Sequence, residues 1–207
     1  MSSWYEHHVL PYLLDIACGI KPVRQQRQSL IPLAYGKVLE IGIGTGLNLE
    51  YYDVTQVERI IGLDPSLGMH RLAQSRAQRA GLNVELVGLS AEQIPFPGQS
   101  FDTVVVTYSL CTIPDPVAAL KEMHRVLKRD GQLLFCEHGQ APDVTVRSWQ
   151  DRMTPLWSRM VGGCCLNRHI SQLIQSAGFE MLELKTFYLM GLRPLTYHYV
   201  GIARAMH

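Results

Sequence analysis

Short runs of β-branched and other apolar residues alternate along this chain with longer stretches of helical periodicity. The runs predicted as strands are residues 37–41, 59–63, 83–88, 102–107 and 131–137. Between them, residues 66–80 and 115–130 repeat apolar side chains every three or four positions, as an amphipathic helix does. This order of elements predicts an α/β fold with a mostly parallel sheet covered by helices on both faces.

The remaining sequence completes this sheet within one domain. Residues 169–179 predict a helix that ends at Gly178, and residues 180–189 and 196–205 predict a terminal antiparallel pair, for seven strands in all. A chain of 207 residues, 47% of them hydrophobic, suits one domain with a sizeable core. The predicted divisions are an N-terminal helical cap (1–35), a binding core (36–139), a helical cover (140–167), and a helix with the terminal strand pair (168–207).

Charge and cysteine usage restrict the partners. Lysine and arginine total 19 against 18 acidic residues, so a net charge of +1 gives no field that would attract nucleic acid, and small molecules are the expected partners. The five cysteines form no C-x-x-C pair and no metal-ligand spacing, so we expect reduced thiols in a cytoplasmic chain and no metal site.

A membrane span is not expected. The apolar stretch Val9–Ile20 is too short to cross a bilayer and resembles an amphipathic cap. Behind it, Lys21, Arg24 and Arg27 lie on a predicted helix, where they form either a solvated face or a peripheral contact with lipid.

Three glycines, Gly42, Gly44 and Gly46, directly follow the first predicted strand, and a helix is expected to begin at Leu47. Ligands of parallel sheets bind beyond the carboxyl ends of the strands, so these glycines mark a binding loop. The third glycine comes one residue earlier than in the dinucleotide pattern G-x-G-x-x-G, and no Gly-Lys-Ser/Thr follows. Glu40 would repel a pyrophosphate, but its carboxylate suits a ligand that carries an ammonium and a sulfonium group.

The motifs "VLEIGIGTG", "GLDPS", "SAEQIPFPGQSFDTVVVTYSLCTIPDP" and "EMHRVLKRDGQLLF" occur in this order between residues 37 and 138. With them the chain resembles the class I S-adenosylmethionine-dependent methyltransferases, which have a Rossmann-like fold with an antiparallel last strand. Within that family it is similar to ubiquinone-type C-methyltransferases, small phosphatidylethanolamine N-methyltransferases and thiol S-methyltransferases of animals. The last similarity continues through "FCEHG" and "GGCCLNRHISQLIQSAGF".

The resemblance implies S-adenosyl-L-methionine as the cofactor and assigns roles to individual residues. The loop from Gly42 to Gly46 would lie against the methionyl part, Glu40 would help hold the ammonium group, and Asp64 would accept hydrogen bonds from the ribose. Asp64 could instead act as a helix cap, and Met69 as a core residue. The expected cofactor-binding residues are Glu40, Gly42, Gly44, Gly46, Asn48, Asp64, Pro65, Met69, Ser90, Ala91 and Thr107.

The expected catalytic residues are His138, Tyr108 and Cys111, which follow the fourth and fifth predicted strands. His138 is either a base or orienting group for the acceptor, or a structural histidine. Many relatives carry a histidine pair near "TYSLCT", and this chain departs from them there, so their acid/base roles do not transfer directly.

We expect methyl transfer to a small, apolar acceptor, with a thiol as the leading candidate. N- or C-methylation of a lipid or quinone at a membrane surface is the second candidate reaction. The glycine loop would also serve a non-catalytic protein that binds S-adenosylmethionine, or a nicotinamide-dependent oxidoreductase. The sequence leaves the oligomeric state open.

Overall fold

A computed structural model describes residues 12, 15, 16 and 18–206. These residues form seven strands: β1 (Gly36–Ile41), β2 (Val57–Leu63), β3 (Val84–Val87), β4 (Phe101–Thr107), β5 (Leu127–His138), β6 (Phe179–Tyr188) and β7 (Tyr197–Ala205). The helices are α1 (Lys21–Leu30), α2 (Leu67–Ala80), α3 (Pro116–Val126), α4 (Val144–Met160), α5 (Ile170–Ser176) and α6 (Arg193–Thr196). Short 3₁₀ turns follow α1 at Ile31–Leu33 and the glycine loop at Leu49–Tyr51.

The strands form one sheet in the order β3-β2-β1-β4-β5-β7-β6. The strands from β3 to β5 pair in parallel, whereas β7 runs antiparallel to both β5 and β6. This arrangement confirms the predicted fold class. The strand order changes direction between β1 and β4, which is where open α/β sheets bind their ligands.

The central strands are buried on both faces, which explains their nearly continuous apolar sequences. In β4, Val104 and Val106 point into one apolar cluster, while Val105 between them points into another. In β5, Phe135 points into the first of these clusters and its neighbour Leu134 points into the second. Two helical layers therefore pack against one sheet, and the alternation of side chains fixes its register.

Local signals set the ends of several elements. The side chain of Asp115 accepts a hydrogen bond from the backbone N–H of Ala118 and caps α3. Gly81 ends α2 with φ +66°, a left-handed conformation that favours glycine. Asp102, at the start of β4, accepts hydrogen bonds from the backbone N–H of Lys37 and from Lys128, so it anchors the strand.

The prediction that a helix begins at Leu47 is wrong. The chain there forms turns and the 3₁₀ segment Leu49–Tyr51, with i→i+3 bonds such as Tyr51 N–H to Asn48 O. The side chain of Asn48 bonds to groups of β1 and β4, which holds this segment against the sheet.

The predicted extension of a helix through residues 127–130 is also wrong. Helix α3 ends at Val126, and β5 begins at Leu127, which pairs with Phe101 at the start of β4. The backbone N–H of Ser100 donates to Val126 O, so pairing with the sheet replaces the last helical turn.

Of the cap predicted for residues 1–35, residues 1–11, 13, 14 and 17 lie outside the described residues. Helix α1 has Pro22 in its first turn, a position that favours proline. Within the described part of the chain, no helix combines the length and the apolar character needed to cross a bilayer.

The packing around Phe135 gives a stability prediction. Its side chain is fully buried in β5, so we expect Phe135→Ala to lower the free energy of unfolding by about 3 to 5 kcal/mol, through lost burial and a residual cavity. Urea unfolding of the ligand-free protein measures this loss. The control is Leu182→Ala on β6, whose side chain is half exposed and should cost well under half as much. An equal loss of unfolding free energy in the two variants would contradict the placement of Phe135 in the core.

Candidate functional site

A cavity of about 480 Å³ lies beyond the carboxyl ends of β1, β2 and β4, at the point where the strand order changes direction. Its size is in the range of small-molecule sites. Most of the predicted site residues line it: Glu40, Gly42, Gly44, Asp64, Pro65, Met69, Ser90, Ala91, Thr107 and Tyr108. Their individual roles stay predictions.

The glycine loop forms one wall of this cavity. Gly42 has φ +64° and packs so closely against Ser109 that a Cβ atom there would overlap its side chain. Gly44 has φ +54°, and its N–H donates to Asp64 Oδ2 at 2.9 Å. At these two glycines the loop therefore presents backbone to the cavity.

Asp64 stands at the end of β2 and faces the same cavity. Oδ1 accepts a hydrogen bond from Ser66 N–H at 2.8 Å and Oδ2 accepts one from Gly44 N–H, which fixes the carboxylate in one orientation. Burial raises the pKa of Asp64, and the two backbone bonds oppose that shift. Each oxygen keeps a further lone pair, so the carboxylate can accept hydroxyl donors from a ligand.

A buried polar network lies beneath the loop and joins three elements. Asn48 Nδ2 donates to Glu40 Oε1 at 2.9 Å and to Thr107 Oγ1 at 3.0 Å, and Asn48 Oδ1 accepts from Arg27 Nη1. The Tyr52 hydroxyl donates to Glu40 Oε2 at 2.7 Å. Burial raises the pKa of Glu40 to about 7, although the bonds from Tyr52 and Asn48 and the charge of Arg27 lower it.

Arg27 is a site residue that sequence reasoning missed. The expectation of a solvated or lipid-facing side chain is wrong, because Arg27 is buried and lines the cavity. Its guanidinium donates to Thr107 Oγ1 at 2.7 Å and lies 4.9 Å from the centre of the Tyr108 ring. Arg27 Nε is buried and has no hydrogen-bond partner among the described residues. Only the helical spacing from Val23 to Leu30, both buried, hints that Arg27 faces inward.

Tyr108 follows β4 in a left-handed conformation, with φ +54°. Such a conformation is unfavourable for a residue with a large side chain and is concentrated at functional sites. Burial raises the pKa of Tyr108 well above its usual value, so the hydroxyl stays neutral. The next residues, Ser109 and Leu110, donate their backbone N–H groups to the buried Glu137 Oε1.

Two predicted cofactor residues do not line the cavity. Asn48 lies beneath it as the centre of the buried network, and Gly46 borders a neighbouring cavity beside Arg76 and Asp15. A Cβ atom at Gly46 would collide with Leu49. Both residues shape the loop from behind, so their predicted contact with cofactor finds no support in this geometry.

His138 and Cys111 also lie outside the lining of the cavity. They meet Cys164, from the segment after α4, in a buried cluster: His138 Nε2 is 3.2 Å from Cys164 Sγ. Hydrogen bonding from Cys111 and His138 lowers the pKa of Cys164 to about 4 despite burial. Burial would lower the pKa of His138, but the bond and charge of Cys164 raise it. The catalytic roles predicted for His138 and Cys111 stay predictions.

Other cavity residues carried no readable signal in the sequence. Asp15 lines the cavity and accepts hydrogen bonds from Arg76, at 2.7 Å, and from Thr45. Cys18, Thr112 and Ile113 also line the cavity. These residues come from separate parts of the chain, so only the fold brings them together.

The geometry agrees with the comparisons to known proteins. The family described as "Methyltransferase domain" matches residues 39–135. The thiol S-methyltransferase TMT1B of Homo sapiens is 33% identical over 158 residues, which cover 73% of this chain and 64% of that protein. The phosphatidylethanolamine N-methyltransferase of Cereibacter sphaeroides is 34% identical over 105 residues, or 50% of this chain and 51% of that protein.

An S-adenosylmethionine-dependent methyltransferase from Thermotoga maritima has the same fold. Its crystal structure superimposes with a TM-score of 0.66 at 22% identity and covers 97% of both chains. The present chain belongs to the class I S-adenosylmethionine-dependent methyltransferases. It spans less than two thirds of the length of the human and Cereibacter relatives.

The cavity fits the cofactor of this family, S-adenosylmethionine. Asp64 presents a fixed carboxylate to the cavity, as its predicted contact with the ribose requires, and the glycine loop leaves open space beside it. Met69 and Pro65, predicted to pack near the adenine, also line the cavity.

The proposed contact of Asp64 gives a direct binding test. We expect Asp64→Asn to weaken binding of S-adenosylhomocysteine roughly tenfold or more, because hydrogen bonds to a charged acceptor are worth about 1.5 to 3 kcal/mol. Isothermal titration calorimetry measures this change. Asp130→Asn, a matched change at an exposed position outside the cavity, is the control and should bind normally. Unchanged affinity in Asp64→Asn would remove this carboxylate from the ribose site.

The raised pKa of Glu40 gives a pH dependence of stability. Because its folded pKa of about 7 exceeds the ordinary 4.5, the folded protein binds this proton more tightly than the unfolded chain does. The contribution of protonated Glu40 to the free energy of unfolding is therefore fully present below pH 4.5 and is lost as the pH rises toward 7. We expect the free energy of unfolding of ligand-free Glu40→Gln to fall less than that of the unchanged protein over this range. If urea unfolding gave the same pH dependence of the free energy of unfolding for both proteins, the raised pKa of Glu40 would be contradicted.

Proposed function

We propose that this chain transfers the methyl group of S-adenosylmethionine to the sulfur of a small, uncharged thiol. The observation that carries the proposal is the similarity to a human thiol S-methyltransferase over 73% of the chain, which is more of the chain than the family model at residues 39–135 matches. The lining of the cavity around the end of β4 supports it independently.

The residues that follow β4 and line the cavity are uncharged. They are Tyr108, Ser109, Thr112, Ile113 and Pro114, and Gly162 from the cover lies beside them. A cationic amine acceptor would call for a carboxylate here, and a phosphorylated acceptor for a cation. The nearest cation, Arg27, already donates to Asn48 and Thr107. A small neutral acceptor therefore suits this wall best.

A thiol also demands little acid/base catalysis. The cofactor supplies a methyl group on a positively charged sulfur, which is a strong electrophile. An ordinary thiol has a pKa of about 8.5, so a useful fraction is thiolate near neutral pH without a protein base. The protein then has to align the acceptor and exclude water, and alignment supplies about 7 to 11 kcal/mol of a barrier of this kind. The position of His138, away from the cavity lining, is compatible with such a mechanism.

The residues that would hold the cofactor are those of the cavity wall. Asp64 binds the ribose, the backbone from Gly42 to Gly44 lies along the methionyl part, and Ser90 faces the adenine edge. Arg27 Nε, buried without a partner among the described residues, is a donor for the amino-acid carboxylate. Arg27 then neutralises the charge that this carboxylate brings next to Glu40.

The second candidate is methylation of a lipid or quinone. It is supported by the 34% identity to the phosphatidylethanolamine N-methyltransferase, which extends over half of the chain. It requires a larger acceptor that reaches the cavity from a membrane. A cytoplasmic location of this chain stays part of the proposal for the soluble thiol.

An acceptor screen tests the proposal. We expect S-adenosylhomocysteine to be released with sulfide and short alkyl thiols in buffer without lipid or detergent. The activity should be strongly reduced in Asp64→Asn and retained in Asp130→Asn. Because no protein base is needed, the pH at which the rate levels off should follow the pKa of the thiol that is offered.

Two outcomes would contradict the thiol proposal. Activity that depends strictly on vesicles containing phosphatidylethanolamine, or on a quinol, would establish the second candidate. Cofactor binding without turnover on any thiol, phenol or amine would make the chain a binding protein.

A further inference from the structure

The cluster formed by Cys111, His138 and Cys164 contains the donor atoms of a soft-metal site. Two sulfur atoms and one ring nitrogen lie within 4.8 Å of one another. The cysteines are buried, at 2% and 7% exposure. The sequence showed no metal-ligand spacing, because these residues come from three separate segments that only the fold unites.

We propose that Cys111, His138 and Cys164 form a binding site for one Zn²⁺ ion. Two thiolates and one imidazole are ligands that zinc prefers, whereas Mg²⁺ and Ca²⁺ take oxygen ligands. Tetrahedral zinc places such donor atoms about 3.5 to 3.8 Å apart, given Zn–S distances of about 2.3 Å and Zn–N distances of about 2.0 Å. The three atoms therefore need to shift by about 1 Å or less to coordinate the ion.

Rigid elements hold each donor in place. His138 is the last residue of β5 and pairs with His198 of β7. Cys111 O accepts a hydrogen bond from Cys165 N–H at 2.8 Å, which ties the loop after β4 to the segment that carries Cys164. Arg168 donates to Ile113 O at 2.7 Å and also to Leu110 O, so a second clamp fixes the same loop. Pre-organised ligands of this kind favour metal binding.

The surroundings also suit a cation held by thiolates. Met153, Trp157, Val161 and Leu195 pack against the two cysteines and limit the access of water to their thiols. The buried carboxylate of Glu137 interacts electrostatically with both His138 and Cys164, and its Oε2 has no hydrogen-bond partner within the described part of the chain. A carboxyl group this close to the cluster favours a bound cation there.

Three protein ligands leave the fourth position of a tetrahedral zinc ion to water or another small ligand. The site borders the cofactor cavity, because Thr112, next to Cys111, and Gly162, two residues before Cys164, both line that cavity. A bound ion would therefore brace the wall between the cover and the acceptor end of the cavity.

Metal binding is measured on the reduced, metal-free full chain, with no cofactor or acceptor present, so the result is independent of the proposed methyl transfer. We expect one equivalent of Zn²⁺ to bind in a calorimetric titration. Cobalt(II) in its place should give a near-ultraviolet thiolate charge-transfer band and intense visible bands of a tetrahedral site. Affinity should fall at least tenfold in Cys111→Ser and in Cys164→Ser.

The matched control is Cys165→Ser, because this neighbouring cysteine lies outside the cluster and its thiol bonds to Gly163 O. It should bind zinc as the unchanged protein does. No stoichiometric zinc binding, or an equal loss in Cys165→Ser and Cys164→Ser, would overturn the proposal.

A footprint on the unchanged protein covers the case in which a variant fails to fold. At a urea concentration that lets the folded protein open transiently, zinc should slow alkylation of Cys111 and Cys164 by iodoacetamide, read by peptide mass spectrometry, and leave Cys165 as reactive as before. Equal alkylation of Cys111 and Cys164 with and without zinc would contradict the site.

Discussion

The buried amide of Asn48 is the interaction on which the cavity depends. It joins Glu40 of β1, Thr107 of β4 and Arg27 of α1 through hydrogen bonds that water does not reach. Buried polar groups are costly unless every partner is in place, so this network fixes the N-terminal helix, the glycine loop and the fourth strand in one arrangement. The floor of the cavity, and with it the position of the cofactor, follows from that arrangement.

The sheet and the cofactor wall could be predicted because their signals are local. Fully buried parallel strands need apolar runs, and the loop behind β1 needs glycine at Gly42, where Ser109 leaves no room for a Cβ atom. The helix expected at Leu47 failed because side-chain bonds of Asn48 to β1 and β4 hold that segment in a tighter turn. Residues 127–130 continue a helical pattern, but pairing of Leu127 with Phe101 places them in β5.

The acceptor side could not be predicted, because its residues meet only in three dimensions. The inward position of Arg27 depends on Thr107, which lies 80 residues away. His138 and Cys164 are 26 residues apart, on a strand and in the cover, and neither has a metal-ligand spacing to Cys111. The position of His138 after a strand could not reveal that Cys164 contacts its ring nitrogen, and its catalytic role stays a prediction.

A crystal structure with S-adenosylhomocysteine tests the account of this site most directly. The account predicts the ribose hydroxyls on the carboxylate of Asp64, the amino-acid part along Gly42 to Gly44, and the sulfur directed toward Tyr108 and Thr112. A ligand in the neighbouring cavity beside Arg24 and Arg79, or a ribose that does not contact Asp64, would contradict it.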